Sequence, residues 1–386
     1  MAEPVIVDAV RTPIGRAFKG SLAQLRPDEM GAFIVDTLLE RNPDVDPSLV
    51  EEVYCGVGLP QGLQGFNLGR IIALLSERLP LATNGTTVSR YCASSLEALR
   101  IAANNISAGQ GEVYIAAGVE FVSSYGDAQE TNRPQDQNER LQGGDGRPDA
   151  YISMGLTAEN VARRYGITRQ QQDEYAQRSQ ERAVAAQTSG FFDREIVPVL
   201  VDGEQVSRDD GPRPNSSLEK LTSLEPSFRA DGTVTAGNSC PLNDGAAAAL
   251  LTSAGLAERL GLRPRARIIT AATSANEPEY MGVAPIGAIG KALDRAHMTM
   301  ADVDVVELNE AFAAQVIPIA SECDIDMDKL NPHGGAIALG HPFGMTGVRI
   351  MTTLLNDLVE LDGTIGLETM CVAQGQGEAM LVERLA

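Results

Sequence analysis

Two stretches in opposite halves of the chain follow the same order of elements. Residues 38–56 read LLERNPDVDPSLVEEVYCG, and residues 292–310 read ALDRAHMTMADVDVVELNE. Each predicts the end of a helix, a polar turn and a valine-rich strand. A fainter echo relates 94–118 to 346–371, where a helix, a glycine-containing turn and a strand follow one another. We interpret the echoes as an internal duplication of an α/β unit, which favours a largely parallel, buried sheet.

The amino-acid composition and net charge argue against some classes of binding partner. Of the 386 residues, 43% are hydrophobic, 4% are aromatic and 38 are glycine, so the core must pack from small aliphatic side chains. A net charge of −21 argues against nucleic acid and anionic membranes as partners. No run of about 18 apolar residues could span a bilayer, and the first residues do not resemble a targeting peptide.

The cysteine pattern predicts working thiols in a reducing compartment. Five cysteines occur without a CxxC pair, which argues against a disulfide framework and against a structural metal site. We therefore expect a cytoplasmic protein with one or two reactive thiols. The remaining cysteines are expected to be small buried hydrophobes.

His341 lies in the glycine-rich segment 331–347, NPHGGAIALGHPFGMTG. It precedes Pro342, and a residue before proline is pushed into an extended conformation. The imidazole is thus expected at a fixed, glycine-walled corner, followed by a helix with Val348 and Met351 on its buried face. The segment has no lysine and does not fit a nucleotide-phosphate loop. A tight strand-to-helix connection with an incidental histidine is the alternative.

Two cysteines and an asparagine are predicted near that corner. Cys92 lies between a strand-like run and a helix, and a helix N-terminus favours a thiolate, so Cys92 is a candidate nucleophile; a buried structural cysteine is the alternative. Cys371 ends a strand before a glycine turn, at the sheet edge where His341 is expected. Asn309 follows the strand expected at 303–308, and its alternative role is helix capping.

The region between the two halves differs from them in its amino-acid pattern. Residues 127–149 are polar and lack hydrophobic periodicity, which is typical of a functional loop. Thr168 and Gln171 suit a capping box for a helix that Gly190 would end, and 191–201 predicts a strand. We interpret 121–243 as an insertion that lies over the active site.

With Cys92, Asn309, His341 and Cys371 together, the sequence resembles the thiolase family, the acyl-CoA:acetyl-CoA C-acyltransferases. Similar blocks run nearly end to end: AVRTPIG at 9–15, RYCASSL around Cys92, MGLTAENVA at 154–162, GTVTAGNSCPLNDGAAAA at 232–249, MGVAPIGAIGKAL at 281–293, NEAFAAQ at 309–315, GGAIALGHPFG at 334–344 and CVAQGQG at 371–377. The resemblance implies an α/β thiolase fold, a duplicated five-layer αβαβα structure with an inserted loop domain. Its parts would be an N-terminal half (1–120 with 244–265), the insertion (121–243) and a C-terminal half (266–386).

The resemblance also implies a role for each site residue. Cys92 would attack the 3-oxo group of a 3-oxoacyl-CoA after His341 takes its proton, and Cys371 would be the acid/base for the acetyl-CoA enolate. Asn309 would hold a water beside the enolate, and the backbone N–H groups of Cys92 and Ala373 would form an oxyanion hole. The residues expected to contact substrate or CoA are Arg213, Ser239, Cys240, Met154 and Phe312.

Several departures from the family pattern bear on the substrate. Ser95 and the Ala373-Gln374 pair replace customary glycines, Ser153 replaces a histidine of acetoacetyl-CoA-forming members, and Cys240 replaces their serine. These departures favour a degradative 3-oxoacyl-CoA thiolase for longer or unusual acyl groups over an acetoacetyl-CoA thiolase that condenses two acetyl-CoA. The second cysteine argues against a decarboxylating ketoacyl synthase, and an intact residue set argues against a lipid carrier or scaffold.

The remaining expectations concern partners and two further histidines. Acyl-CoA and CoA are the expected partners, with CoA as a substrate and neither a cofactor nor a metal required. The family also implies a homodimer or homotetramer. His333 is expected to support the site from a distance at most, and His297 is expected to be a solvated surface residue.

Overall fold

The strands form a ten-stranded sheet and a separate hairpin in the computed structural model, which describes residues 2–125 and 136–385. Their bounds are β1 Pro4–Arg11, β2 Gly15–Arg16, β3 Val50–Gly56, β4 Asn84–Val88, β5 Val113–Phe121, β6 Val199–Val201, β7 Glu204–Val206, β8 Asn243–Ser253, β9 Ala266–Ala275, β10 Val305–Leu308, β11 Ile365–Val372 and β12 Gln376–Arg384. The strand order is β4-β3-β5-β8-β1-β9-β12-β11-β10, with β2 beside β8. β6 and β7 form the hairpin.

The strand order repeats in the two halves. The series β3-β5-β8-β1 in the first half corresponds to β10-β11-β12-β9 in the second. The halves meet where Val5 and Ile6 of β1 pair with Arg267 and Ala266 of β9. The duplication predicted from the sequence echoes is therefore confirmed.

The prediction of a largely parallel sheet is wrong. β3 pairs in parallel with β4 and β5, and β10 with β11, but the other pairings of the large sheet are antiparallel. β11 and β12 form a hairpin across the turn at Gly375, and the connection between β5 and β8 is the region 122–242. The insertion thus occupies the position between β5 and β8 that corresponds to the short turn between β11 and β12. The alternation of strands and helices in the sequence does not predict this correspondence.

The helices lie in three layers that sandwich the two halves of the sheet. Their bounds are α1 Pro27–Arg41, α2 Leu68–Leu75, α3 Ser94–Ser107, α4 Met154–Tyr165, α5 Arg169–Ser189, α6 Leu218–Thr222, α7 Ala254–Leu260, α8 Pro285–Ala296, α9 Ala313–Glu322, α10 Ala336–Leu339 and α11 Thr346–Glu360. One core cluster packs α3 and α11 between the two half-sheets. A second covers the first half with α1 and α2, and a third covers the second half with α8 and α9. This is the five-layer αβαβα arrangement.

The insertion follows the sequence predictions only in part. The capping box of Thr168 and Gln171 begins α5, and Gly190, at φ 79°, ends it as predicted. The strand expected at 191–201 is wrong for its first residues, because Phe191–Arg194 form a 3-10 turn and only Val199–Val201 are extended. The left-handed glycine reverses the chain, which buries the rings of Phe191 and Phe192 edge to face, 5.4 Å apart. Part of the loop expected at 127–149 lies outside the described residues.

Across the part of the chain that is described, no helix has the length and apolar character needed to cross a membrane.

Candidate active site

The nucleophile candidate Cys92 sits in a strained turn at the start of α3. It belongs to the 3-10 turn Tyr91–Ala93, directly before Ser94 begins α3. Tyr91 has φ +44°, a left-handed conformation that costs a non-glycine residue about 1–3 kcal/mol. The Cys92 side chain is buried, with its residue 9% exposed. The sequence prediction of a turn leading into a helix N-terminus is confirmed at this position.

Ser95 joins the Cys92 turn to the segment that carries His341. Its hydroxyl oxygen accepts a hydrogen bond of 3.0 Å from the backbone N–H of Val348, in the first turn of α11. Ser95 also packs against Gly56 and Gly118, where a side-chain carbon would collide. Ser95 therefore has a structural role that the customary glycine could not fill.

The hydrogen bonds around His341 define its tautomer. The Thr346 hydroxyl donates to the carbonyl of Pro342 at 2.8 Å, so its oxygen accepts from Nδ1–H of His341, 2.6 Å away. The other ring nitrogen, Nε2, is consequently unprotonated and faces the side-chain Nδ2–H of Asn309 at 3.3 Å. An unprotonated Nε2 can accept a proton.

Burial keeps the His341 ring neutral and its backbone fixed. The residue is 1% exposed, and burial, aided by the positive charge of Arg349, lowers the pKa of His341 to about 3. Its backbone N–H donates to Oδ1 of Asn243 at 3.0 Å. Gly340 packs closely on that asparagine at φ +116°, a position that a side chain would obstruct. The imidazole is thus a fixed, neutral base.

Cys371 and Cys92 are both held as thiols at neutral pH. Burial raises the pKa of Cys371 to about 11, and a 2.9 Å hydrogen bond from Nε2 of Gln315 acts in the opposite direction. Burial also raises the pKa of Cys92 well above its ordinary value, and the nearby Cys371 and Cys240 add to this effect. The backbone N–H of Ala373 bonds to the Cys92 sulfur and lowers its pKa. Helix placement alone therefore does not produce the thiolate, and proton transfer to a base is needed.

A cavity of about 400 Å³ opens beside Cys92. It is lined by residues from the nucleophile turn, the insertion, the His341 segment and the β11–β12 turn: Leu59, Tyr91, Cys92, Asp136, Gln137, Ala150, Tyr151, Ile152, Met154, Phe343, Ala373 and Gln374. The insertion thus covers the nucleophile on one side. Ala373 contributes both to this cavity and to the hydrogen bond on the Cys92 sulfur.

The residues predicted to contact substrate lie in three places: at the cavity, beside the turn after Asn309, and on the exposed surface. Met154 begins α4 and lines the cavity. Ser239 and Cys240 are joined to the turn after Asn309, because Ser239 bridges to Phe312 and the Cys240 N–H donates to Ala311 at 3.0 Å. Arg213 lies apart from both groups, with an exposed side chain.

The other two histidines match their expectations. His333 does not join the cluster; its Nδ1 lies 2.5 Å from Asp357 and its ring stacks on Phe191 at 3.6 Å. His297 is exposed at the left-handed end of α8.

Four supporting residues escaped the sequence analysis: Asn243, Gln315, Thr346 and Glu120. Glu120 is fully buried and accepts hydrogen bonds from Gly58, Gly344, Gln64 and Tyr125 at 2.6–2.7 Å. Burial raises its pKa and these donors oppose the rise. A signal existed, since a lone carboxylate in the apolar strand VYIAAGVEF requires partners. Thr346 is the first residue of α11, and Gln315 lies in the first turn of α9, within the block 309–315.

Among residues 2–125 and 136–385, no group of three His, Cys, Asp or Glu side chains is arranged to hold a metal ion.

Comparison with known proteins gives one family over nearly the whole chain. The family model for the thiolase N-terminal domain matches residues 4–255, and that for the thiolase C-terminal domain matches residues 262–384. The chain is 43% identical to the 3-ketoacyl-CoA thiolase of Idiomarina loihiensis and 42% identical to the beta-ketoadipyl-CoA thiolase of Acinetobacter baylyi, with 100% of each chain covered in both cases. The crystal structure of the Bacillus anthracis acetyl-CoA acetyltransferase superposes with a TM-score of 0.90 at 38% identity and covers 100% of this chain and 99% of that one.

Proposed function

The chain belongs to the thiolase family of acyltransferases, and from this we propose that it is a degradative 3-oxoacyl-CoA thiolase. It would cleave a 3-oxoacyl-CoA with free CoA into acetyl-CoA and an acyl-CoA that is two carbons shorter. The observation that carries the proposal is the neutral His341, whose unprotonated Nε2 lies beside Asn309 in a site with two thiols. CoA acts as a substrate, and every proton transfer is assigned to side chains without a cofactor or a metal.

The first half-reaction transfers the acyl group to Cys92. Nε2 of His341 takes the thiol proton, and the sulfur attacks the 3-oxo carbon of the substrate. The C2–C3 bond then breaks, and its electron pair passes to the thioester as an enolate. The Cys371 thiol protonates C2, so acetyl-CoA leaves and Cys92 carries the shortened acyl group as a thioester.

The second half-reaction releases the product and restores both protons. The Cys371 thiolate takes the thiol proton of the incoming CoA, whose sulfur attacks the acyl carbon. Cys92 leaves as a thiolate and recovers its proton from the His341 imidazolium. A buried Cys371 with a pKa near 11 is a strong base once it is deprotonated, which suits this step.

Two groups of donors are proposed to stabilise the oxyanions. The backbone N–H groups of Cys92 and Ala373 would bind the oxygen on C3, and the bond from Ala373 to the Cys92 sulfur supports that assignment. His341, with a water held by Asn309, would serve the enolate oxygen. Oδ1 of Asn309 is buried without a hydrogen-bond partner among the described residues, so it can accept from such a water.

The cavity supports the degradative direction over acetoacetyl-CoA synthesis. About 400 Å³ beside Cys92 is more than an acetyl group requires. Relatives of about equal identity carry the names 3-ketoacyl-CoA thiolase and beta-ketoadipyl-CoA thiolase. We therefore propose that this space accepts an acyl chain longer than acetyl.

We further propose a CoA site on the insertion. Met154 would contact the acyl end, and Ser239, Cys240 and Phe312 would contact the thiol end of CoA. Arg213 and the neighbouring Arg16 would meet the CoA phosphates. The two side chains are neighbours, because the pKa of Arg213 is lowered first by partial burial of its guanidinium and then by the positive charge of Arg16. Neither guanidinium has a hydrogen-bond acceptor among the described residues, so both can serve an anion.

A homo-oligomer in the cytoplasm completes the proposal. The edge strand β4 has a partner strand only on its β3 side within the described chain, and it is flanked by Phe66 and Leu81, which are 94% and 75% exposed. A second copy would cover this strand edge and the two exposed apolar side chains. Light scattering during gel filtration should give a dimer or tetramer, and Phe66→Asp with Leu81→Asp should shift it toward monomer; a monomeric parent protein would contradict the proposal.

Loss of the 3-oxoacyl-CoA enolate absorbance tests the reaction. The purified protein should consume the absorbance of 3-oxoacyl-CoAs of several chain lengths only when CoA is present. Activity confined to acetoacetyl-CoA would instead support the synthetic enzyme, and no CoA-dependent loss with any substrate would overturn the thiolase proposal.

A further inference from the structure

Leu59 and Phe343 contribute apolar surface to the cavity beside Cys92 from outside the insertion. Leu59 lies shortly after the end of β3, and Phe343 lies shortly after His341. The Phe343 ring packs edge to face on the His341 ring, with 5.1 Å between the ring centroids. The positions of these two apolar side chains therefore bound the space that an acyl chain can occupy next to the proposed base.

The carboxylate of Glu120 bonds to the backbone beside both of these side chains. Its Oε2 atom accepts a hydrogen bond from the N–H of Gly58 at 2.6 Å and another from the N–H of Gly344 at 2.7 Å. Gly58 directly precedes Leu59, and Gly344 directly follows Phe343. One oxygen atom therefore holds the loop after β3 and the glycine-rich segment at a fixed distance from each other.

The second oxygen of Glu120 is also held in place. Oε1 accepts from Nε2 of Gln64 at 2.6 Å and from the Tyr125 hydroxyl at 2.7 Å. The Gln64 amide is itself oriented, because its oxygen accepts from the backbone N–H of Phe121. Glu120 is fully buried and N–H donors face both of its oxygens, which favours an ionised carboxylate with strong, charge-assisted hydrogen bonds. The carboxylate cannot turn without losing several of these bonds.

Gly58 lies in close contact with both the carboxylate and the aromatic ring residue. A side-chain carbon at position 58 would lie 2.5 Å from Oε2 of Glu120 and 2.6 Å from Cβ of Phe343. Both distances are shorter than packed carbon atoms adopt, so a side chain would fit there only if Phe343 or the carboxylate moved. The glycine thus lets the loop after β3, the carboxylate and Phe343 pack directly on one another.

We propose that Glu120 is a positioning residue that determines acyl-chain length, because it fixes Leu59 and Phe343 and thereby the extent of the cavity beside Cys92. This inference rests on the thiolase function proposed above. The described residues that line the cavity do not include Glu120, so it acts through the two apolar side chains. An apolar pocket distinguishes chains by the fit of single methylene groups, so the position of its wall decides which length is accepted.

The chain-length profile of the wild-type protein is the first test. kcat/KM is measured with saturated, straight-chain 3-oxoacyl-CoAs of four to sixteen carbons. A wall in a fixed position predicts an optimum length and a decrease of about tenfold within four further carbons, since one methylene group that does not fit already has an effect of this size. The ratio of kcat/KM at the optimum to kcat/KM four carbons beyond it is then compared between variants.

Glu120→Gln keeps the size of the side chain and removes its charge. One of the two acceptor positions becomes an NH2 group, which faces N–H donors and leaves at least one of them without its partner. Leu59 and Phe343 should then be held less firmly, so the ratio should fall by about threefold, part of the effect of one methylene group. Each ratio is independent of the amount of folded enzyme.

Gly58→Ala tests the wall while the carboxylate is retained, and it decides the matter if Glu120→Gln does not fold. The added methyl group must displace Phe343 or the Glu120 carboxylate, so the same ratio should change by about threefold.

Glu195→Gln is the matched control, because it also neutralises a buried carboxylate. Glu195 belongs to the insertion and accepts from Arg11 at 2.6 Å and from Asn356 at 2.9 Å. The described residues that line the cavity include none of these three, so this variant should lose stability and leave the ratio unchanged.

The outcomes separate this inference from the underlying function. A wild-type profile without a decrease, a ratio unchanged in Glu120→Gln, or an equal change in Glu195→Gln would overturn the role of Glu120. If Glu120→Gln does not fold, an unchanged ratio in Gly58→Ala would do the same. The thiolase function stands in each case, because the substrates are still cleaved. If the wild type cleaves no 3-oxoacyl-CoA, the function itself fails.

Discussion

The proposed mechanism uses the imidazole of His341 as a base, and the surroundings of the ring favour its neutral form. A lowered pKa means that the charged form is disfavoured, and with a pKa of about 3 the ring stays neutral as the pH falls well below the ordinary histidine range. The Thr346 oxygen holds the proton on Nδ1, so Nε2 is ready to accept. Burial therefore keeps His341 neutral, so that it can take the proton of Cys92. From the sequence alone, the helix N-terminus is instead expected to favour the Cys92 thiolate.

A pH profile tests the state of His341. For the 3-oxoacyl-CoA substrate, kcat/KM reports the acylation half-reaction alone and should change less than about twofold between pH 5 and 8. Circular dichroism at each pH checks that the protein stays folded. An acid limb with an apparent pKa near 6.5 would show that His341 titrates as an ordinary histidine and would contradict this account.

Gln315 is expected to set the acidity of Cys371. Its amide donates to the sulfur at 2.9 Å, so Gln315→Leu should destabilise the thiolate and raise the Cys371 pKa further. Loss of one hydrogen bond to a charged group predicts a decrease of about 10–100-fold in exchange of the acetyl-CoA methyl protons with deuterated water, the step that needs the thiolate. Gln177→Leu is the control, because Gln177 is a partly exposed glutamine on α5 that bonds to Glu181. Unchanged exchange in Gln315→Leu would remove this residue from the mechanism.

At the scale of elements, the contact between α3 and α11 brings the Cys92 turn and the His341 segment together. α3 follows the Cys92 turn and α11 follows the His341 segment, and the two helices lie side by side between the half-sheets. The Ser95 hydroxyl joins them by accepting from Val348 at 3.0 Å. Serine thus replaces the customary glycine at position 95, and its hydroxyl forms a hydrogen bond with the first turn of α11.

Removal of that hydroxyl should destabilise the fold. Ser95→Ala leaves the Val348 N–H without its side-chain acceptor in a buried location, which should lower the free energy of unfolding by about 1–3 kcal/mol. Denaturant unfolding measures this change, and Ser107→Ala, at the far end of the same helix, should stay within about 0.5 kcal/mol. Equal effects of the two variants would mean that the bond contributes nothing.

At the scale of the whole molecule, a buried ion pair fastens the insertion to the first strand. Arg11 is fully buried and bonds to Glu195 at 2.6 Å and to Asp209 at 2.7 Å, two carboxylates of the insertion. The insertion in turn supplies Tyr151 and Met154 to the cavity. Arg11 therefore anchors the insertion, a different part of which lines the cavity beside Cys92.

Arg11→Met should be strongly destabilising. The substitution leaves two buried carboxylates without a cation, which predicts a loss of about 3–5 kcal/mol in unfolding free energy. Arg194→Met is the comparison, because Arg194 and Glu360 form an exposed pair, 47% and 44% accessible, worth less than about 1 kcal/mol. A change in Arg11→Met no larger than in Arg194→Met would contradict a structural role for this cluster.

The sequence predicted what depends on local patterns and on recognised motifs. The duplicated unit, the α5 capping box and the turn that carries Cys92 follow from residue periodicity and helix-end chemistry. The antiparallel pairings escaped prediction because they depend on how distant strands meet. The same holds for Glu120 and Asn243, whose partners lie far away in the chain, and for the thiol pKa of Cys92, which burial raises although its helix position would lower it.

The central claim, an acyl group carried on Cys92, is tested most directly by intact-mass spectrometry. The protein is exposed briefly to a 3-oxoacyl-CoA without free CoA, beside Cys92→Ala. The account predicts that the wild type gains the mass of one shortened acyl group, that peptide mapping places it on Cys92, that added CoA removes it, and that Cys92→Ala gains nothing. No adduct on the wild type, or an adduct carried by Cys371 or Cys240, would contradict the account.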